Sequence, residues 1–129
     1  MIRSFWSRWL GDRGEREAAR HLRKIGYRLI TRGYGTSQGE VDLICRQGDT
    51  LVFVEVKSRR QGQPAEAVTP EKQRRLTLAA LHFLKRYGLL EQRCRFDVVA
   101  IIWPEGDRPE SIEHFQDAFP AIGLGQMFR

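Results

Sequence analysis

The chain has 129 residues, 41% of them hydrophobic, and its 22 Lys and Arg against 16 Asp and Glu give a formal net charge of +6. A chain of this length makes one compact domain with a real core, and none of its apolar runs approaches the roughly 18–20 residues of a membrane span. The two cysteines, Cys45 and Cys94, sit in separate apolar runs, and His21, His82 and His114 are scattered. That pattern excludes a disulfide framework and zinc spacing and points to a reducing, cytoplasmic setting.

The charge is unevenly spread. Residues 1–95 carry 20 Lys and Arg against 10 Asp and Glu, whereas residues 96–129 carry 2 against 6. Most of the positive charge is arginine, the side chain suited to bidentate phosphate contacts. An asymmetric basic domain is the footprint of a nucleic-acid binder; a solvated basic surface satisfies the same count.

In chain order, residues 1–10 form an arm with Phe5, Trp6, Trp9 and Leu10 among polar residues. Arg3, Arg8 and the two Trp leave no room for the apolar stretch and cleavage site of a signal peptide. The arm's aromatic residues suit base stacking or packing against the domain or a second subunit. Asp12 as N-cap and Gly26 as stop predict a helix reaching Ile25, with Ala18, Ala19, Leu22 and Ile25 as its apolar stripe. Glu15 points with that stripe, and an inward-facing acid needs a partner. Asp12-x-x-Glu15 also fits a capping box, so Glu15 has two candidate roles, a cap and a cation ligand.

Tyr27 to Ile30 predicts a first strand. Residues 40–57 then read as a hairpin, two Val/Ile/Leu/Phe-rich runs around Gly48-Asp49. After a polar loop from Ser58 to Val68, Thr69 and Pro70 open a second helix. Its stripe is Leu76, Ala79, Ala80, Phe83, Leu84 and Tyr87, with Gly88 as its stop. Phe96 to Trp103 is almost wholly apolar, as a strand covered on both faces is, and Pro104 ends it. Strand, helix and buried strand imply a crossover that sets this strand parallel to residues 51–57. Glu110 to Phe119 adds an edge strand carrying His114, a surface or edge position, and residues 120–129 form an apolar tail. No internal repeat appears.

The hairpin holds the main chemical oddity. Alternation puts Leu51, Phe53, Glu55 and Lys57 on one face and Val52, Val54 and Val56 on the other. If Arg46 pairs with Leu51, Ile44 faces Phe53 and Asp42 faces Glu55. Two carboxylates so opposed, with Cβ atoms roughly 4.5–5.5 Å apart, repel each other. They call for a cation between them, and Lys57 lies two residues along the same face.

The ordered set Glu15, Asp42, Glu55-x-Lys57 resembles the signature of the restriction-endonuclease-like PD-(D/E)xK superfamily and, within it, archaeal-type Holliday-junction resolvases. Gly14-Glu15, Gly39-Glu40-Val41-Asp42-Leu43-Ile44, Phe53-Val54-Glu55-Val56-Lys57-Ser58-Arg59 and Arg95-Phe96-Asp97 resemble the bacterial YraN-type family more closely still, collinearly over residues 11–103. Gly39-Glu40-Val41-Asp42 stands where the superfamily name has a Pro-Asp dipeptide. The resemblance implies an α/β restriction-endonuclease-like three-layer sandwich, with a mixed central sheet flanked by helices. It divides the chain into the arm at 1–10, a nuclease-like domain at 11–119 and the tail at 120–129.

It also implies a metal-dependent endonuclease hydrolysing phosphodiester bonds in DNA, including branched or structured DNA. Mg²⁺ or Mn²⁺ would be held by Asp42, Glu55, the Val56 carbonyl and Glu15, with Glu15, Asp42, Glu55 and Lys57 as catalytic residues. Glu40, one pleat from Asp42, suits either an outer ligand or a solvated strand-end acid. Arg59, Arg60, Lys72, Gln73 and Arg74, with Arg75, are the candidate phosphate contacts. Asp97 suits either a structural place or one near the site. DNA is the expected partner, RNA remains open, and a homodimer follows from the resolvase likeness alone. Two alternatives stand beside the enzyme: a non-catalytic nucleic-acid-binding module on the same fold, and an interaction protein built on the arm and tail.

Overall fold

The computed structural model describes residues 2–60, 68–103 and 108–121, with side chains from residue 12 onward. Helix α1 spans Ile2–Lys24, strands β1, β2 and β3 span Arg28–Thr36, Gly39–Gln47 and Thr50–Arg59, and helix α2 spans Pro70–Arg86. Strands β4 (Cys94–Ile102) and β5 (Ser111–Phe119) follow. The five strands form one sheet in the order β1-β2-β3-β4-β5. Pairing is antiparallel except between β3 and β4, which run parallel as the crossover through α2 requires.

Each helix covers one face. Ala18, Ala19 and Leu22 of α1 pack with Leu43, Val52, Val54, Val99, Ile101 and Trp103. Leu76, Ala79, Ala80, Phe83 and Leu84 of α2 pack with Ile44, Leu51, Phe53, Phe96 and Val98. The alternation expected along β3 is therefore present, odd residues towards α2 and even residues towards α1. The result is an α/β three-layer sandwich, consistent with the restriction-endonuclease-like architecture.

The hairpin register is as expected, with Arg46 opposite Leu51 and Ile44 opposite Phe53. The turn is tighter than a four-residue loop, because Gln47 still pairs with Thr50 and Gly48 supplies the turn at φ 60°. At α2, Thr69 caps the helix by accepting the Lys72 N–H at 3.2 Å, and Gly88 at φ 67° closes its end. Both cysteines are buried and free. Burial pushes the Cys45 thiol up to about 12 and the Cys94 thiol to about 11, so both are inert packing groups.

Several expectations are corrected. The first helix does not begin at Asp12 but runs continuously from Ile2, so the backbone of the arm belongs to α1. Gly11-Asp12 is a weak breaker whose propensity cost, of order 1 kcal/mol, the flanking turns outweigh. Ile25 and Tyr87 fall outside their stripes at 50% and 53% exposure, because each lies just beyond the last regular turn. The first strand extends to Thr36; Gly33 and Gly35 hide it from a periodicity reading. Ser58 and Arg59 belong to β3, not to the following loop. Residues 61–67, Pro104 and the tail from 122 lie outside the described residues. So do the side chains of Phe5, Trp6 and Trp9. Among the described residues no helix is long and apolar enough to cross a membrane.

Candidate active site

The site forms where β2 and β3 part. Strand pairing runs only as far as Leu43 opposite Val54; beyond that the Asp42 carboxylate itself accepts the Val56 N–H at 2.8 Å. A local break in the face alternation aims this side chain into the sheet. Arg32 and its pairing partner Leu43 face α1, where Arg32 meets Asp12 and Leu43 joins the α1 core. Two residues away, Tyr34 and its partner Val41 face α2, where Tyr34 meets His82 and Val41 joins the α2 core. Strict alternation would keep all four on one face. Gly33, at φ 70°, accommodates the break on β1, and Asp42 occupies it on β2.

Glu55 is 4% exposed, on the α2 face of β3. Its charge and a side-chain hydrogen bond both act on the neighbouring Asp42 carboxyl. Burial, then the Glu55 charge and that hydrogen bond, push the Asp42 carboxyl up to about 8; the Val56 N–H pulls the other way. The Lys72 ammonium reaches in from the first turn of α2 and lies 3.0 Å from Glu55 Oε2. Burial works against that ammonium, but Glu55, Asp42 and Glu40 more than offset it and its pKa is raised.

These groups line an open groove of about 890 Å³ whose walls include Thr36, Glu40, Asp42, Glu55, Lys72 and Arg75. Thr36 Oγ1 shapes the rim by accepting the Gln38 and Gly39 N–H groups. Gly39 lets β2 pass α2 closely, since a Cβ there would strike the Arg75 carbonyl. Gly39→Ala is therefore expected to lower stability by about 1–3 kcal/mol, the usual cost of forced overpacking. Urea unfolding measures this, and a wild-type midpoint would show that the rim yields instead.

The remaining predicted residues are placed less uniformly. Glu15 is not a cap, because Asp12 lies inside α1 and its carboxylate binds Arg32 at 3.0 Å and Arg16 at 3.4 Å. Glu15 pairs with Arg32 at 3.6 Å. Burial raises its pKa; Arg32 opposes this and Glu40 and Asp12 add to it. Its charge is also felt at Asp42. Lys57 is half-buried and continues the α2-facing series of β3. Arg59 and Arg60 are half-buried and engaged within the fold.

Gln73 donates to the Val68 carbonyl at 2.8 Å and so anchors the entry to α2. Arg74 and Arg75 both bind Glu71, each at 3.1 Å, on the groove wall. Asp97 belongs to a separate buried network on the α1 side with Tyr27, Arg95 and His114. Its place is structural, and the His114 side chain is 9% exposed, not a surface group. Arg32, which clasps Asp12 and Glu15, was not foreseeable, since it acts only once α1 lies against β1.

Among the described residues no three His, Cys, Asp or Glu side chains gather into a closed metal cluster. The close pair is Asp42 with Glu55. One or two carboxylates beside free groove volume suit a hard ion that keeps most of its own waters, as Mg²⁺ does; they do not suit a caged structural ion. The donor set therefore fits Mg²⁺ or Mn²⁺.

Comparison with known proteins agrees with the motifs. The profile described as "Uncharacterised protein family UPF0102" matches residues 14–101. A UPF0102 protein of Rhodopirellula baltica is 45% identical over 92% of this chain and 75% of its own length. One from Rhodococcus jostii is 51% identical over 85% of this chain and 95% of its own. One from Geobacter sulfurreducens is 50% identical over 85% and 88% respectively. The matched span contains Glu15, Asp42, Glu55 and Lys57 and both walls of the groove, and the chain belongs to the UPF0102 family, the YraN-type family that its motifs resemble.

Proposed function

We propose that the protein is a divalent-metal-dependent nuclease that hydrolyses phosphodiester bonds in DNA, branched or structured DNA included. The observation that carries this reading is that the Asp42 and Glu55 carboxyls line one groove together with Lys72, Arg74 and Arg75. Burying two like charges together is unfavourable for stability, and such arrangements cluster at functional sites.

Asp42 and Glu55, with the Val56 carbonyl, would hold Mg²⁺ or Mn²⁺, and Glu15 would act on the ion through its field. When bound, the ion would supply Lewis-acid neutralisation of phosphoryl charge and a more acidic water. Lys57 would orient the attacking water or stabilise charge developing on the phosphoryl oxygens. Arg74 and Arg75, on the groove wall, would contact the DNA backbone, which sets affinity and register more than sequence preference. The PD-(D/E)xK resemblance supports the same assignment of roles.

A cleavage screen on linear, flapped and four-way DNA with Mn²⁺ and with Mg²⁺ tests the reading, with Lys57→Ala as control. Cleavage is expected in the wild type and at least about 100-fold less in the variant. A folded wild type that cleaves no DNA form with either metal would falsify it. One observation favours a second reading, a non-catalytic binding module: Lys72 already neutralises Glu55. That module would bind DNA in a salt-dependent way without turnover, and Asp42→Ala, Glu55→Ala and Lys57→Ala would barely change its affinity.

A further inference from the structure

Lys72 supplies the cation that meets Glu55. Its ammonium is 3.0 Å from Glu55 Oε2, its side chain is 52% exposed, and that of Glu55 is 5% exposed. The pair is therefore asymmetric: a fixed, buried acceptor and a flexible donor whose stem already lies half in solvent. The position on the helix adds to this. Lys72 is in the first turn of α2, its own N–H bonded to the capping Thr69. A cation at a helix N-terminus is opposed by the helix dipole, so Glu55 holds Lys72 against a local field that favours its release. The neighbouring cations Arg74 and Arg75 are held instead by Glu71 and do not reach the pair.

We infer that Lys72 is a displaceable internal cation, which occupies the divalent-ion position beside Glu55 and must swing into the groove before an ion can bind there. It is a positioning residue that tunes metal affinity and holds the carboxylate pair together until the ion arrives. This inference rests on the metal site proposed above. Because only the fraction of molecules with Lys72 swung out is competent to bind, apparent affinity is reduced by that fraction.

The test is calorimetric titration of the full chain with Mn²⁺ alone, without nucleic acid. Lys72→Gln is expected to bind Mn²⁺ up to about fivefold more tightly than wild type, the upper end of the effect of removing one partly exposed ion pair. Lys72→Arg, which keeps the charge, is expected to bind no tighter than wild type. Arg74→Gln removes a charge from the same helix turn without freeing Glu55 and is expected to change affinity less than twofold.

In EDTA, Lys72→Gln should melt below wild type, and saturating Mn²⁺ should close the gap. Equal Mn²⁺ affinity in wild type and Lys72→Gln, with binding lost in Asp42→Ala, would overturn the inference and leave the metal site standing. An equal gain from Arg74→Gln would overturn it too, as a general field effect. Mn²⁺ binding that survives Asp42→Ala unchanged, or no binding by any form, would overturn both the inference and the site.

Discussion

Asp42→Asn is expected to abolish cleavage while making the folded protein more stable at alkaline pH. The amide oxygen can still accept the Val56 N–H that Asp42 accepts at 2.8 Å, so the local backbone keeps its partner. What disappears is the second negative charge beside Glu55. In the wild type the Asp42 carboxyl is pushed up from 3.8 to about 8 by burial and by Glu55. The folded chain therefore holds a proton that the unfolded chain releases near pH 4. Stability from this group is fully present below pH 3.8 and is lost as pH rises through about 8.

Asparagine does not titrate, so the variant lacks that decline. Across this window the difference between the two proteins is expected to change by a few kcal/mol, following about 1.4 kcal/mol per unit of pKa shift. Urea unfolding at pH 5, 7 and 9 reads it directly. Parallel pH curves for wild type and variant would remove the case for a raised Asp42 carboxyl. Cleavage should fall at least about 100-fold. A gain in stability joined to a loss of activity is the signature of a site whose charges are held together for function.

Asp97→Ala is expected to cost about 3–5 kcal/mol, as removing one member of a buried charged network does. Asp97 is fully buried. It accepts from Arg95 Nε at 2.9 Å and the Asp117 N–H at 2.9 Å, and it pairs with His114 Nε2 at 2.7 Å. Tyr27 joins the network through Arg95 at 2.6 Å. Register between β4 and β5 shifts between Phe96 and Val98, and Asp117 on the facing strand has φ 51°. The carboxylate thus satisfies a backbone group at an irregularity in the sheet and ties the edge strand down.

Burial works against the Asp97 charge, but these partners outweigh it and its pKa is lowered. Its stabilising contribution is therefore present above the ordinary carboxylate pKa and lost as pH falls through the depressed folded value. Thermal melting of Asp97→Ala gives the magnitude. Activity per folded molecule should stay at the wild-type level, because Asp97 lies on the α1 face, away from the groove. A stable but inactive Asp97→Ala would instead place Asp97 in the catalytic machinery.

Much of the architecture was legible in the residues alone, for identifiable reasons. The hairpin register follows from strict alternation at Leu51–Val56 and from Gly48 in the turn, and slipping by one residue would expose the Val face. Helix α2 is announced by Thr69, Pro70 and a stripe of Leu, Ala and Phe. Parallel pairing of β4 with β3 follows from a helix lying between two buried strands. Each of these rests on interactions between residues close in sequence or on a periodicity that burial enforces.

The candidate site divides along the same line. The residue types and order of Glu15, Asp42, Glu55 and Lys57 were available from the chain, and so was the repulsion between the opposed acids. Which groups meet them was not. The ladder opens at Asp42 because the sheet switches faces around Gly33, an event spread across β1, β2 and both helices. Lys72 reaches Glu55 only because α2 lies over β3, and Arg32 meets Glu15 only because α1 lies against β1. Local chemistry selected the charges; packing of distant segments decided which of them meet, since Coulomb and hydrogen-bond energies depend on separations that no local pattern encodes.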